Sequence, residues 1–379
     1  MADFIDAPTR DHASEAGSDV LRLGFMPLTD SAPLIVADAL GFYARHGVAV
    51  SLTPLNAWVA LRDRTAIGHF DGGQMLAPMP IAAALAAGGF RTELRVVSVL
   101  SRQGNTITLG EPIMAEIAAV APALAGLRPL PAEALAAVIA ARRASGRPMP
   151  RLAMVYPFSS HNYLLRRWLE RAGIDPETDV QLCAVPPPLV AGELAEGRID
   201  GFCAGEPWGS RAVDLRAGRI ALTTADIWAD HPEKVFAVSA ECLARAPGQV
   251  ERCVAALIEA GIWLSDPANL AEAARLLHLR AMPGVPEQVI ARSLAAELVF
   301  APDEAPQEAP PIRFDATYPH PEHGAWWLQQ MQRWQHVPDT DDDVIGRIWR
   351  PDIWRLAAAR AGIATITPTR KPCPGETFQ

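Results

Sequence analysis

Along the first two thirds of the chain, short and mostly apolar runs alternate with longer stretches in which apolar residues return every three or four positions. LRLGFM (21–26) has the length and character of a buried strand; the turn-like LTDSAP follows, and PLIVADALGFYARHG carries helical spacing until Gly47 stops it. VAVSLTPL (48–55) reads as the next strand, WVALRDRTAIGHF (58–70) as a helix, and DGGQML (71–76) as a strand-end loop. PIAAALAAGG (80–89) then reads as a helix and ELRVVSVLS (93–101) as a strand. After Gly110 the rhythm resumes: two Ala-rich helices around GLRPLP, then strands at RLAMVY, VQLCAV, IDGFCAG and IALTT with helical segments between them. Strand and helix in alternation predict parallel sheets covered by helices.

From about residue 240 the pattern changes to long helices and a Pro-rich, aromatic closing section through WWLQQMQRW and DIWRLAAARAG. This section carries no strand series and is expected to return to the first lobe, with Trp326, Trp327 and Trp334 as a packing seam. The expected organisation is α/β and two-lobed: an acidic segment 1–20 without fold, 21–106 with 240–379 as lobe one, and 107–239 as lobe two. The crossovers are expected at SRQGNTI (101–107) and VFAVSA (235–240).

The 379 residues, half of them apolar, suffice for a full core. The net charge of -9 argues against direct wrapping of nucleic acid, which requires clustered Lys and Arg over phosphates. The five cysteines form no CxxC pair and fit buried thiols in a reducing compartment. The N-terminal residues show no signal-peptide pattern, and no apolar run reaches the ~18 to 20 residues of a membrane span, so a cytosolic location is expected. Among the basic residues only two are lysines, Lys234 in HPEKVF and Lys371. A compact ammonium differs from the wide guanidinium fork, so Lys234 marks a place where a fork does not fit.

In open sheets ligands bind beyond the carboxyl ends of strands. Four such loops hold polar or aromatic residues among apolar flanks: NAW (56–58), RQGN (102–105), FSSHN (158–162) and GEPW (205–208). Each has a structural alternative: Ser159 or Ser160 as an N-cap, Glu206 as a first-turn acid, Trp208 as core. Taken together, Lys234 supplies a charge, His161 and Asn105 supply donors, and Trp58 supplies an indole N–H or a flat wall, a set suited to a small anion rich in acceptors. No nucleotide-binding glycine loop occurs, and His320 and His323 in YPHPEHG are not taken as metal ligands because Pro321 separates them.

HPEKVFAV, GFCAGEPW, VPPPLVAGEL, HNYLLRRWLERAGIDPETDV, DGGQMLAPMP and YPHPEHGAWWLQQMQRW together resemble the nitrate- and bicarbonate-binding family of periplasmic-binding-protein-like folds, over residues 20 to 360. The resemblance implies a type II fold, two lobes around an anion cleft, with no cofactor, no metal and no catalysis. It places the nitrate binders' tryptophan on Trp58, their histidine on His161, the proline of the PPP run on Pro187 and their lysine on Lys234. Bicarbonate binders carry an acid at that last position, so Lys234 favours nitrate or nitrite. Where transport members have Gly-Gln this chain has Gly104 and Asn105, a departure that bears on the coordination. The expected cytosolic location points within the family to nitrate/nitrite sensors of the NasS type. These imply a partner, a NasT-like RNA-binding antiterminator held by the ligand-free form and released by the anion. The solute-binding component of an importer is the alternative. Lys234→Glu is expected to abolish anion binding and leave the fold intact.

Overall fold

A computed structural model describes residues 20–340 and 343–363. Lys371, Cys373 and nearly all of the N-terminal segment expected to be unfolded lie outside the described residues. The strands that build the two principal sheets are β1 (Val20–Phe25), β2 (Ala49–Pro54), β3 (Gly72–Leu76), β4 (Leu94–Arg102), β5 (Asn105–Gly110), β6 (Arg151–Met154), β7 (Gln181–Ala184), β8 (Gly201–Gly205), β9 (Gly218–Thr223) and β10 (Pro232–Ser239). They form two five-stranded sheets, ordered β2-β1-β3-β10-β4 and β7-β6-β8-β5-β9. The two lobes thus repeat one topology, and in each the fourth strand arrives from the other lobe.

That arrival corrects the expectation of parallel sheets. β1 runs parallel to β2 and β3, and β6 parallel to β7 and β8, because helical crossovers connect them. β10 is antiparallel to β3 and β4, and β5 is antiparallel to β8 and β9. A strand that enters from the opposite lobe escapes the helical crossover that forces parallel neighbours.

Two further expectations change. VFAVSA is part of β10, a central strand of the first sheet, and its uninterrupted apolar character reflects burial on both faces. The chain has therefore returned to lobe one by Pro232, ahead of the boundary expected at residue 239, and Lys234 belongs to the first sheet. DGGQML is likewise the strand β3, whose glycines allow close strand approach: a Cβ on Gly73 would stand 2.0 Å from Gly24 O.

Nor does the C-terminal third simply return to lobe one. Leu298, Phe300 and Ala309 bury with Val213 and Ile220 of lobe two, and the Ile220 N–H donates to Phe300 O at 2.8 Å. Arg216 pairs with Asp303 at 2.6 Å on the same side. The helix Pro321–Arg333 lies across both lobes: Trp327 is 5.4 Å from the Trp228 ring and 6.4 Å from Tyr163 of lobe two. Tyr163 also bonds His336 Nδ1 at 3.0 Å, and Arg333 pairs with Glu170 at 2.6 Å. The tryptophan seam expected within lobe one is an inter-lobe joint.

Between β4 and β5 the crossing turn has Gln103 at φ 61° and Gly104 at φ 89°, both left-handed. Gln103 spans the turn, donating to Pro311 O and accepting from the Asp230 N–H, each at 2.8 Å. Arg102, fully buried, meets Asp230 Oδ2 at 3.4 Å, and Asp230 Oδ1 accepts from Arg313 at 3.0 Å. A Cβ on Gly104 would stand 2.7 Å from Ile312 in a backbone conformation that L residues avoid. Gly104→Ala should therefore lower stability by about 1–3 kcal/mol in urea unfolding; an unchanged midpoint would mean that the turn relaxes freely.

Candidate functional site

β10 does not pair evenly with β4. Pro232 faces Arg102, Lys234 faces Ser101 and Val235 faces Val99, with register shifts on both sides of Lys234. Glu233 is the extra residue of this bulge, and the local twist turns its carboxylate to the side of the neighbouring ammonium. Lys234 is wholly buried, with Nζ 2.6 Å from Glu233 Oε1 and 2.7 Å from Asp30 Oδ2, and 5.6 Å from the centre of the Trp58 ring. Asp30 sits in the single helical turn Thr29–Ser31 after β1 and accepts from Gln74 Nε2 at 2.7 Å, while Gln74 Oε1 accepts from the Met26 N–H at 2.9 Å. An aspartate in an apolar-flanked turn is thereby fixed from two strands of lobe one.

Lobe two contributes the opposite wall. Ser159 caps the helix Ser160–Arg171, its Oγ accepting from the Asn162 N–H at 3.1 Å, and so places His161 in the first turn. His161 Nε2 stands 3.5 Å from Glu233 Oε1. Asn105 begins β5, and Trp58 begins the helix Trp58–Ala66 of lobe one. Gly205, at the end of β8, leaves space between the lobes: a Cβ there would lie 3.4 Å from both Asn105 Oδ1 and Asp30 Oδ2 and 3.3 Å from Leu28.

The buried Trp58 Nε1, both amide atoms of Asn105, Ser101 Oγ, Ser160 Oγ and both ring nitrogens of His161 make no hydrogen bond among the described residues. Each such group costs about 1–3 kcal/mol when left unmet. A ligand that accepts hydrogen bonds on several sides meets the N–H and O–H donors among them, leaving Asn105 Oδ1 and the second His161 nitrogen as acceptors, and the first turn of the His161 helix adds backbone N–H groups and a favourable dipole.

Burial depresses the His161 imidazole to about 3, against the Glu233 carboxylate that draws it upward, so the ring is neutral and donates one N–H. Burial pushes Asp30 up to about 6, partly offset by Lys234. Burial would also raise Glu233, but the Lys234 ammonium holds it below the usual carboxylate range. For Lys234 burial acts downward, and the two carboxylates outweigh it and raise the ammonium. Lys234→Glu would add a third carboxylate to this sealed space, so the expectation that its fold survives is corrected: an unpaired buried charge costs several kcal/mol.

Four of the residues expected from sequence therefore meet: Trp58, Asn105, His161 and Lys234. Gly104 shapes the adjoining turn, and its carbonyl accepts from the Glu206 N–H at 2.9 Å. Pro187 is buried in the turn Pro187–Leu189, next to Pro188, which lines a groove of about 400 Å³ with Pro27, Asn56 and Trp208. Glu206 is satisfied by Thr106 and Ser210, and Trp208 Nε1 donates across the lobes to Pro27 O at 3.2 Å, both structural duties. His320 and His323 meet edge to face in the aromatic joint, their rings 5.2 Å apart, with His323 5.8 Å from Trp228. Sequence reading missed Asp30, Gln74 and Glu233; the only signal for the last was its place beside the lone central lysine.

An unfolded His161 titrates near 6.5 and the folded one near 3, so between these values only the unfolded chain takes up the proton and stability falls with pH. His161→Gln removes that loss. Relative to wild type its unfolding free energy should rise by about 1.4 kcal/mol per unit as pH falls from 6 to 4.5; urea melts at three pH values read the slope, and parallel curves would mean that the ring is charged in the fold.

Residues 14–278 match the NMT1-like family. Nitrate import ATP-binding protein NrtC of Synechocystis is 36% identical over 90% of this chain, which spans 50% of that protein. Nitrate/nitrite binding protein NrtA of Synechocystis is 31% identical, over 94% of this chain and 80% of its own length. Bicarbonate-binding protein CmpA of Synechococcus elongatus is 29% identical over 98% and 85%. The crystal structure of the periplasmic nitrate-binding protein NrtA from Synechocystis PCC 6803 superposes with a TM-score of 0.80 at 29% identity, covering 90% of this chain and 88% of that one. With its twin lobes, strand-end cleft and these relatives, the chain belongs to the NMT1-like family and has the periplasmic-binding-protein-like fold.

Proposed function

We propose that the cleft between the lobes captures nitrate or nitrite. The observation that carries this reading is the fully buried ammonium of Lys234 amid unmet donors from Trp58, Asn105, Ser101, Ser160 and His161. A planar oxyanion without protons accepts from all of them. Lys234 supplies the countercharge, and Trp58 presents both a ring face and an N–H. The kinship with NrtA supports the same ligand class. The binding mode needs no cofactor, and the cluster offers no activated nucleophile, so the reading is capture, not catalysis.

For the consequence of capture, the names of the relatives favour a solute-binding role beside an importer over the cytosolic sensor suggested by the family resemblance. In both roles the ligand acts by binding the closed arrangement of lobes more tightly than the open one. They differ in which form the partner prefers, the loaded form for a permease and the empty form for an antiterminator.

Titration calorimetry with sodium nitrate, nitrite and bicarbonate at constant ionic strength tests the ligand. Nitrate and nitrite should give saturable heats and bicarbonate none; bicarbonate binding without nitrate binding would overturn the reading. Gly205→Ala keeps an unstrained backbone but puts a methyl among the polar atoms, and should weaken nitrate by roughly tenfold, about 1.4 kcal/mol. Size-exclusion chromatography with a basic NasT-like antiterminator decides the role. A complex without nitrate that dissolves in millimolar nitrate would restore the sensor, whereas no complex in either condition is expected for the importer component.

A further inference from the structure

Lys234 is not free to receive an anion. One ammonium faces two carboxylates, Glu233 at 2.6 Å and Asp30 at 2.7 Å, and all three side chains are at most 1% exposed. The other titratable groups around them add no positive charge. His161, from the lobe-two helix, is held neutral by burial, as is His231, whose Nδ1 lies 3.7 Å from Glu233 Oε2 and whose Nε2 meets Thr224 Oγ1 at 2.8 Å. The Cys203 thiol of β8, which feels Glu233 and Lys234, is kept protonated by burial. Glu206 is occupied by Thr106 and Ser210, and its carboxyl is itself raised by burial. The empty cluster therefore already carries one negative charge in excess. A second, brought by the ligand into a space sealed from bulk solvent and with no further cation among the described residues, would be severely penalised.

Geometry also decides which carboxylate yields. Asp30 is anchored through its other oxygen by Gln74, itself tied to the Met26 backbone. Glu233 has no such anchor: its Oε2 makes no hydrogen bond among the described residues, and it stands between Lys234 and His161, the two groups an anion must reach. We propose that Glu233 holds the anion's place on Lys234, and that an anion displaces it while one proton from solvent binds to the Asp30–Glu233 carboxylate pair. An O–H bond forms on a carboxylate oxygen as the bond that held the proton on a hydronium ion or buffer acid breaks; the site's net charge is the same before and after. This rests on the capture of nitrate or nitrite proposed above. It makes Glu233 a specificity-determining residue: an acceptor-only anion must bring a proton with it, and the carboxyl so formed gains a donor that faces the ligand.

Above the point where Asp30 ionises, near 6, one proton taken up per anion makes affinity fall tenfold per pH unit. The test is nitrate calorimetry on the full chain at pH 7.5 in two buffers of unlike ionisation heat, Hepes and Tris, which counts the protons, together with affinities from pH 6.5 to 8.5. The expected result is one proton per nitrate and roughly a hundredfold loss of affinity across that range. Glu233→Gln removes one carboxylate while keeping the shape and an oxygen for Lys234. It should bind nitrate with no proton uptake, with a flat pH profile, and more tightly than wild type at pH 8.5. Nitrate binding to wild type with no proton taken up and a flat profile would overturn this inference and leave nitrate capture standing. Proton uptake that persists unchanged in Glu233→Gln would also overturn it. No nitrate binding at any pH would overturn the capture reading itself. Should Glu233→Gln fail to fold, the proton count on wild type decides alone.

Discussion

A single ammonium, taken out of water and held between two carboxylates, sets the geometry of this cleft. Removing one partner of a buried ion pair costs about 3–5 kcal/mol, because the remaining charge has no solvent to turn to. That penalty fixes Lys234 to Asp30 and Glu233, and through them ties the turn after β1, the bulge of β10 and the Gln74 strand into one unit. His161 joins from lobe two by its approach to Glu233, so the charged centre of lobe one and the helix terminus of lobe two meet at one carboxylate. The unmet donors around it cost stability in the empty protein, and a ligand's affinity draws on that cost.

Much of the fold was legible in the sequence because strand and helix periods alternate cleanly through both lobes, and the cap at Ser159 follows local chemistry that needs no partner; the helix expected to run on to Gly47 instead ends at Ala39, breaks at Gly41 with φ 72°, and resumes for one turn over Phe42–Arg45. The antiparallel entry of β5 and β10 was not legible: a strand buried on both faces reads as a plain apolar run, and VFAV says nothing about direction. The site was half legible. Lys234 stood out by rarity, and His161 by its place behind a capping serine. Glu233 stayed hidden because alternation along a regular strand sends neighbours to opposite faces, and only the register shift beside β4 brings two adjacent side chains together. Asp30 belongs to a turn whose sequence resembles any other, and its role comes from strands far along the chain.

The lobes are joined by more than their two crossing strands. Residues 311–316 lie beside both crossings, where Arg313 and Arg102 share Asp230 and exchange backbone hydrogen bonds, and the helix Pro321–Arg333 lays its tryptophans against Trp228 and Tyr163. A relative movement of the lobes would have to bend the chain at Gln103–Gly104 and shift the aromatic joint as well, so the lobes are not two beads on a string.

The near-absence of lysine has a chemical consequence. The described surface carries its positive charge on guanidinium groups, which acylating reagents leave alone, and the one lysine among the described residues is sealed inside the cleft. An amine-reactive label would thus meet Lys234 only if the lobes came apart. Modification at Lys234, read separately from that at Lys371 and at the α-amino group, would therefore time any opening of the cleft.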